Sequence, residues 1–256
     1  MAPHDPASPR ELSGKVALVT GGARNIGRAI AGALASGGAD VMVSALHAHV
    51  DVDDTVREIE ATGSRGASHI ADVTNPDAVA ALVSATVARF GRLDILVNNA
   101  ATRPERPFGD MSFAEWRNVL AVILDGAFLC AQACVPHLAR SGDGSIVNIG
   151  GETGHRGAAG RAHVVAAKAG LAGFTKALAL DLAPQRITVN CVVPGRIDTI
   201  RASANPGQHV HRPAVPPIGR LGRPEEVAAM VRMLCGPDGR YITGQSIHVN
   251  GGAYLP

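Results

Sequence analysis

Lys168 stands in the segment Gly160–Gly170, Gly-Arg-Ala-His-Val-Val-Ala-Ala-Lys-Ala-Gly, whose apolar spacing is helical. A lysine there can lower the pKa of a neighbouring acid or hold a sugar hydroxyl, and the acid it would serve belongs four residues earlier, one turn back on the same face. That position is Val164. Other groups able to donate lie nearby in sequence. His163 is one residue from the vacant slot, yet one residue on a helix turns a side chain by about 100°, which aims it away and favours a core or interface histidine over a catalyst. Glu152 and Thr153 follow Gly151, and Thr153 faces the same side as residue 151 if the segment stays extended. His155, His209 and His211 fall at rim or lid positions, and histidine is the usual acid near neutral pH.

The elements that must position these residues follow from alternating periods. Strand-like runs recur at Lys15–Thr20, Asp40–Ala45, Ala67–Ile70, Leu93–Val97, Ser145–Ile149, Ile187–Val193 and Ser246–Val249. Between them lie amphipathic stretches, Asn25–Ser36, Asp51–Ala61, Pro76–Phe90, Phe113–Ala139 and Ala162–Leu182, and Pro224 opens a further helix. Strands alternating with helices predict right-handed βαβ units: an α/β fold, doubly wound, with a seven-stranded parallel sheet covered on both faces. Residues 13–256 are expected to form one Rossmann-type domain, with residues 1–12 a frayed tail holding three prolines and no cleavage signal. The irregular stretch around 200–220, which holds four prolines, is expected to be a substrate lid.

Composition narrows the partners. With 256 residues and 46 % apolar content the chain can bury a large core, and a net charge of +2 without a basic run gives no footprint for nucleic acid or an anionic membrane. No apolar run is expected to reach the length that spans a bilayer. Cys130, Cys134, Cys191 and Cys235 lie in apolar stretches without metal-ligand spacing, which predicts reduced core thiols, no metal and a cytoplasmic setting.

Thr20-Gly21-Gly22-Ala23-Arg24-Asn25-Ile26-Gly27 follows the first strand and opens the first helix, the context a glycine-rich turn needs to approach a pyrophosphate at a helix N-terminus. With its companions this turn resembles the short-chain dehydrogenase/reductase family, in particular members like 3-oxoacyl-acyl-carrier-protein reductases, from about Lys15 to Pro256. Asn25 replaces the middle glycine of the family turn, and asparagine tolerates positive φ better than other non-glycine residues. The resemblance implies that Gly21, Arg24, Asn25, Ile26 and Gly27 line the dinucleotide, that Asp72 and Val73 meet its adenine, and that Asn98 and Ala100 follow from the Asn-Asn-Ala motif. It likewise implies that Pro194, Gly195, Ile197 and Thr199 hold the nicotinamide end and that Lys168 holds its ribose. NADP(H) is favoured over NAD(H): Ser44-Ala45-Leu46-His47 offers no carboxylate at the end of the second strand, while Arg24 and His47 suit a 2′-phosphate.

The family's catalytic group of asparagine, serine, tyrosine and lysine is mostly missing. Ile123, Gly151 and Val164 occupy the first three positions and only Lys168 remains; the tyrosines of the chain, Tyr241 and Tyr254, sit near the C-terminus. A positioned general acid contributes about 10²–10⁴ in rate, so ordinary ketone reduction is expected to be crippled. The expectation is an oxidoreductase reducing an activated C=N, C=C or carbonyl small molecule. The alternatives are a non-redox lyase, isomerase or cyclase on the same fold, or a non-catalytic subunit beside an active relative. The long helices Phe113–Ala139 and Ala162–Leu182 resemble those that form the family's dimer interface, implying a homotetramer or homodimer, or a hetero-oligomer.

Overall fold

The computed structural model describes residues 10–47, 50–199 and 215–256. Seven parallel strands form one sheet: β1 (Val16–Thr20), β2 (Asp40–Ala45), β3 (Gly66–Ile70), β4 (Ile95–Asn98), β5 (Ser145–Ile149), β6 (Thr188–Pro194) and β7 (Ser246–Val249). Their order is β3-β2-β1-β4-β5-β6-β7. The order reverses between β1 and β4, and a crevice opens beyond the carboxyl ends of strands at such a point. Thr20 and Asn98 end the two strands that flank it.

The inner strands β1, β4, β5 and β6 are buried along their whole length because helices cover both faces, while the edge strands β3 and β7 stay partly exposed. On one face α1 (Asn25–Ser36) and α8 (Pro224–Cys235) pack over Val19, Val43 and Val97. On the other, α3 (Pro76–Phe90), α5 (Gly126–Ser141) and α7 (Ala162–Leu182) cover Leu18, Leu96 and Ile146. The remaining helices are α2 (Val50–Ala61), α4 (Phe113–Leu120) and the short α6 (Thr153–Arg156). Capping explains several boundaries: Asn75 accepts from the N–H groups of Asp77 and Ala78 ahead of Pro76, and Ser112 with Glu115 forms a capping box.

Three expectations need correction. The frayed tail does not extend to Leu12, which is fully buried in the core, with Glu11 paired to Arg232 at 2.6 Å. A single apolar residue with polar neighbours carries no periodicity, so burial there was invisible in sequence. The Phe113–Ala139 helix is not continuous α: residues Ala121–Asp125 form a π-helical segment between α4 and α5. That continuous run, Phe113–Ser141, is also long and apolar enough by length and composition to cross a bilayer, against the expectation that none is. In this fold it lies against the sheet and α7, burying Val119, Ile123, Ala127, Cys130, Cys134 and Leu138. The expected lid lies mainly in residues 200–214, with His209 and His211, outside the described residues, as does the tail before Arg10.

Candidate active site

The glycine turn is held by side chains at the end of β1 and just past β4 as much as by its own residues. Thr20 Oγ1 accepts the backbone N–H groups of Asn99 and Ala100 at 3.0 and 3.1 Å, while Asn99 Nδ2 donates to the carbonyls of Thr20 and Gly21. These bonds lace the ends of β1 and β4 together. A Cβ at Gly27 would lie 2.2 Å from the Gly21 carbonyl oxygen, so the turn closes on α1 with backbone against backbone. Gly21 has φ +62° and Asn25 has φ 51°, the left-handed region anticipated for Asn25.

Asn98 and Asn99 divide their work differently from the expectation. The Asn98 side chain turns into the protein, donating to Asn148 Oδ1 at 2.9 Å, and Asn148 in turn donates to Thr175 of α7. This buried chain ties β4 and β5 to the helix that carries Lys168. Asn99, whose side chain holds the glycine turn, was not assigned from sequence; the paired asparagines were its only signal.

Just past β3, where the family resemblance implies adenine contacts, Asp72 accepts from the N–H and hydroxyl of Thr74, and Val73 packs against Gly126, where a Cβ would lie 2.8 Å from a Val73 methyl. Pairing of Thr20 with Ser44 in register brings the glycine turn beside the segment after β2. Arg24, at the head of α1, and His47 are both exposed there. Arg24 Nε lies 3.4 Å from an Asp51 carboxylate oxygen. At the other end, Pro194 closes β6, its carbonyl accepts the Glu152 N–H, and Gly195 leaves no room for a side chain against Asn250. Ile197 bridges to Gly222, while Thr199 is the last residue described before 200. A cavity of about 310 Å³ opens beside Ile197, lined also by Arg196, Ile218, His248 and Asn250.

Lys168 is buried and its Nζ donates to the Ile149 carbonyl at the end of β5. Burial pushes its amine down to about 8, with the positive charge of Arg103 adding to the shift. Val164 and Ile123 are both 2 % exposed and pack with Val119, Ala127, Ala167 and Leu171 in one apolar cluster. Gly151 is different: a Cβ there would meet nothing closer than Lys168 Cγ and Thr153 Oγ1, each at 4.0 Å.

The proposed substitutes separate in the structure. His163 is fully buried; its Nδ1 accepts the Val164 N–H, and its position 140° round α7 from Lys168 follows from about 100° per residue. Glu152 is also buried, and its carboxylate pairs with Arg156 at 3.0 Å and Arg196 at 3.8 Å beneath Gly195. His155 stacks edge-on against His248 at 4.6 Å, with Tyr254 completing the ring cluster, and burial lowers both imidazoles. One of the two tyrosines thus returns to the neighbourhood of α6, packed on histidines. Thr153 borders the Gly151 gap, although the segment is not extended: Glu152 is helical and the Gly151 carbonyl accepts the Gly154 N–H.

Residues 21–254 match the family model described as enoyl-(acyl carrier protein) reductase. The chain is 40 % identical over 245 residues to the 3-oxoacyl-(acyl-carrier-protein) reductase of Vibrio cholerae serotype O1, covering 95 % of this chain and 99 % of that one. Among solved structures, a dehydrogenase/reductase from Sinorhizobium meliloti 1021 superposes with a TM-score of 0.90 at 37 % identity, covering 97 % of this chain and 98 % of that chain. A short-chain dehydrogenase from Burkholderia cenocepacia J2315 in complex with NADP gives 0.88 at 38 % identity, covering 95 % and 99 %. The chain belongs to the short-chain dehydrogenase/reductase family of oxidoreductases.

Proposed function

From that membership we propose an NADP(H)-dependent oxidoreductase whose substrate is a small molecule with an activated C=N, C=C or carbonyl group. The observation that supports the reading is a contrast within one crevice: the glycine turn at the head of α1 is close-packed backbone on backbone, whereas neither Gly151 nor Val164 carries a side chain that can donate a proton.

The residues present fit the cofactor. Gly21, Asn25, Ile26 and Gly27 form a close-packed turn at a helix N-terminus, where backbone N–H groups suit a pyrophosphate. Asp72 and Val73 flank the adenine end, Ala100 borders the turn, and Pro194, Gly195, Ile197 and Thr199 border the nicotinamide end. Asn98 acts from behind, through Asn148. Arg24 and His47 supply positive and hydrogen-bonding groups where a 2′-phosphate would lie, and β2 ends without a carboxylate. The solved Burkholderia relative holds NADP, which supports the same choice here.

A bound reduced nicotinamide supplies hydride. Lys168 would hold the ribose, and its ammonium, desolvated but still protonated below about 8, would keep a positive charge at that end of the crevice. An iminium carbon or a conjugated enone accepts hydride without a strong acid at the heteroatom, so the apolar pair Val164 and Ile123 is tolerable for such substrates. Phe113, Phe128 and Leu180 expose apolar surface on α4, α5 and α7, which supports a homodimer or homotetramer formed through those helices. The four buried, free cysteines suit the reducing cytoplasm.

Titration with NADPH and NADH, followed by a panel of ketones, imines and enones read by cofactor absorbance, tests the reading. NADPH should bind more tightly and an imine or enone should oxidise it; absence of dinucleotide binding refutes it, and product formation without cofactor oxidation moves the chain to a non-redox class.

A further inference from the structure

We infer that Thr153 supplies, from the first turn of α6, the hydrogen bond to the substrate's electronegative atom that the family takes from position 151. The inference rests on the reading just given. Three observations carry it.

The first is shared space. The open side of Gly151 faces a gap framed by Thr153 Oγ1 and the Lys168 stem, each 4.0 Å from where a Cβ would stand. A hydroxyl borne on residue 153 therefore reaches the region a serine at 151 would have served. The second is availability. Among the described residues the Thr153 hydroxyl makes no protein hydrogen bond and borders the gap, whereas Lys168 donates to the Ile149 carbonyl, the unpartnered Oε2 of Glu152 lies under Gly195 rather than Gly151, and the unpartnered Nε2 of His163 belongs to a ring buried about 140° round α7 from Lys168.

The third is rigidity. A Cβ at Gly154 would lie 2.9 Å from the Lys168 backbone, so α6 is pressed onto α7 and Thr153 is held at a set distance from Lys168. The turn is closed by Gly154 N–H to the Gly151 carbonyl at 3.0 Å and by Gly157 N–H to the Thr153 carbonyl at 2.9 Å. A donor fixed before the substrate arrives needs little reorganisation, the property that makes such donors effective. The role is a hydrogen bond only; no bond to Thr153 forms or breaks, and the product proton comes from water.

Thr153→Val removes the hydroxyl and keeps the shape, while Thr153→Ser keeps the hydroxyl. With carbonyl-labelled cyclohexanone bound beside NADP⁺, infrared difference spectra should show a red-shifted carbonyl band in the natural protein and the Ser variant. The shift should be absent in the Val variant and return when Gly151→Ser is added to it. For whichever ketone or enone of the panel oxidises NADPH, Thr153→Val should lower kcat by about 10²–10³, Thr153→Ser by only a few-fold, with NADPH affinity unchanged in both. If no compound oxidises NADPH, the oxidoreductase reading fails by itself and the carbonyl band still decides Thr153. An unshifted band in the natural protein, or an equal shift in the Val variant, overturns the proposal.

Discussion

A Cβ added at Gly27 would lie 2.2 Å from the Gly21 carbonyl oxygen, whereas one added at Gly151 would meet nothing closer than 4.0 Å. Both glycines sit at the carboxyl edge of the same sheet, one on the turn that leads from β1 into α1 and one just past β5. At Gly27 backbone packs on backbone and the Asn99 amide fills what remains, so no side chain is admissible. At Gly151 the neighbours leave space, so glycine there reflects the absence of a requirement. The glycine turn thus tolerates a residue that keeps its geometry, as Asn25 does with φ 51°, while beside Gly151 there is room and Val164 and Ile123 are closed into an apolar cluster.

Rebuilding the missing groups tests that contrast most strongly. Gly151→Ser with Val164→Tyr and Ile123→Asn should raise reduction of simple ketones, expected to be slow in the natural chain, by about 10²–10⁴, the usual contribution of a positioned acid. The cost should be uneven. Gly151→Ser fits the existing space, but Val164 and Ile123 are 2 % exposed in one cluster, and enlarging Val164 should destabilise by about 1–3 kcal/mol. Steady-state rates and chemical denaturation of each single variant read both effects. Brisk ketone reduction by the natural chain would break the comparison and return a histidine to consideration as acid.

Alanine at the two glycines comes next. Gly27→Ala should cost about 3 kcal/mol by overpacking and abolish measurable NADPH binding, while Gly151→Ala should stay within about 0.5 kcal/mol. Similar urea midpoints for the two variants would contradict the packing difference.

Lys168 joins the two regions and should show opposed effects. Its amine falls from 10.5 unfolded to about 8 folded because burial penalises the charged form. The folded state therefore bears that penalty in full below about 8, and it fades as pH rises toward 10.5. Lys168→Met should accordingly stabilise the apoprotein at neutral pH by about 2 kcal/mol, after allowance for the lost bond to the Ile149 carbonyl. The gain should shrink from pH 8 upward. The same variant should weaken NADPH binding, and the natural protein's affinity should decline as pH passes about 8. Thermal melts and titrations across that window decide both; a destabilised Met variant would assign the lysine to packing.

The smallest effect is expected at the exposed mouth. Arg24→Ala should erode the preference for NADPH over NADH by about tenfold, or ~1.4 kcal/mol. Asp51→Asn, which removes the carboxylate 3.4 Å from Arg24, should move the preference the other way. Calorimetry with both dinucleotides distinguishes these from Arg24 as a solvated loop residue, for which neither ratio would change.

The legible parts of the molecule were those with a period. β2, β5 and β7, with α1, α3 and α7, match the ranges read from residue alternation, because buried faces repeat every two or 3.6 residues. That a valine stands one turn before Lys168 was equally plain, since Val164 and Lys168 are four residues apart on α7 whatever surrounds them. The π-helical segment at Ala121–Asp125 left no compositional trace, because a helix gaining one residue in a turn keeps its apolar character.

Sequence by itself therefore determined the sheet, the glycine turn after β1 and the absence of a phenol one turn before Lys168, all of them consequences of local spacing. Only the tertiary structure decided which neighbours stand in the gap. Glu152 and Thr153 are adjacent in the chain, yet one turns under Gly195 to meet two arginines and the other borders Gly151. His155 meets His248 and Tyr254 across some ninety residues of chain, a contact set by where β7 ends. In a tight turn, side-chain direction has no period. It is set by the contact of α6 with α7, where the bare Gly154 lies against Lys168.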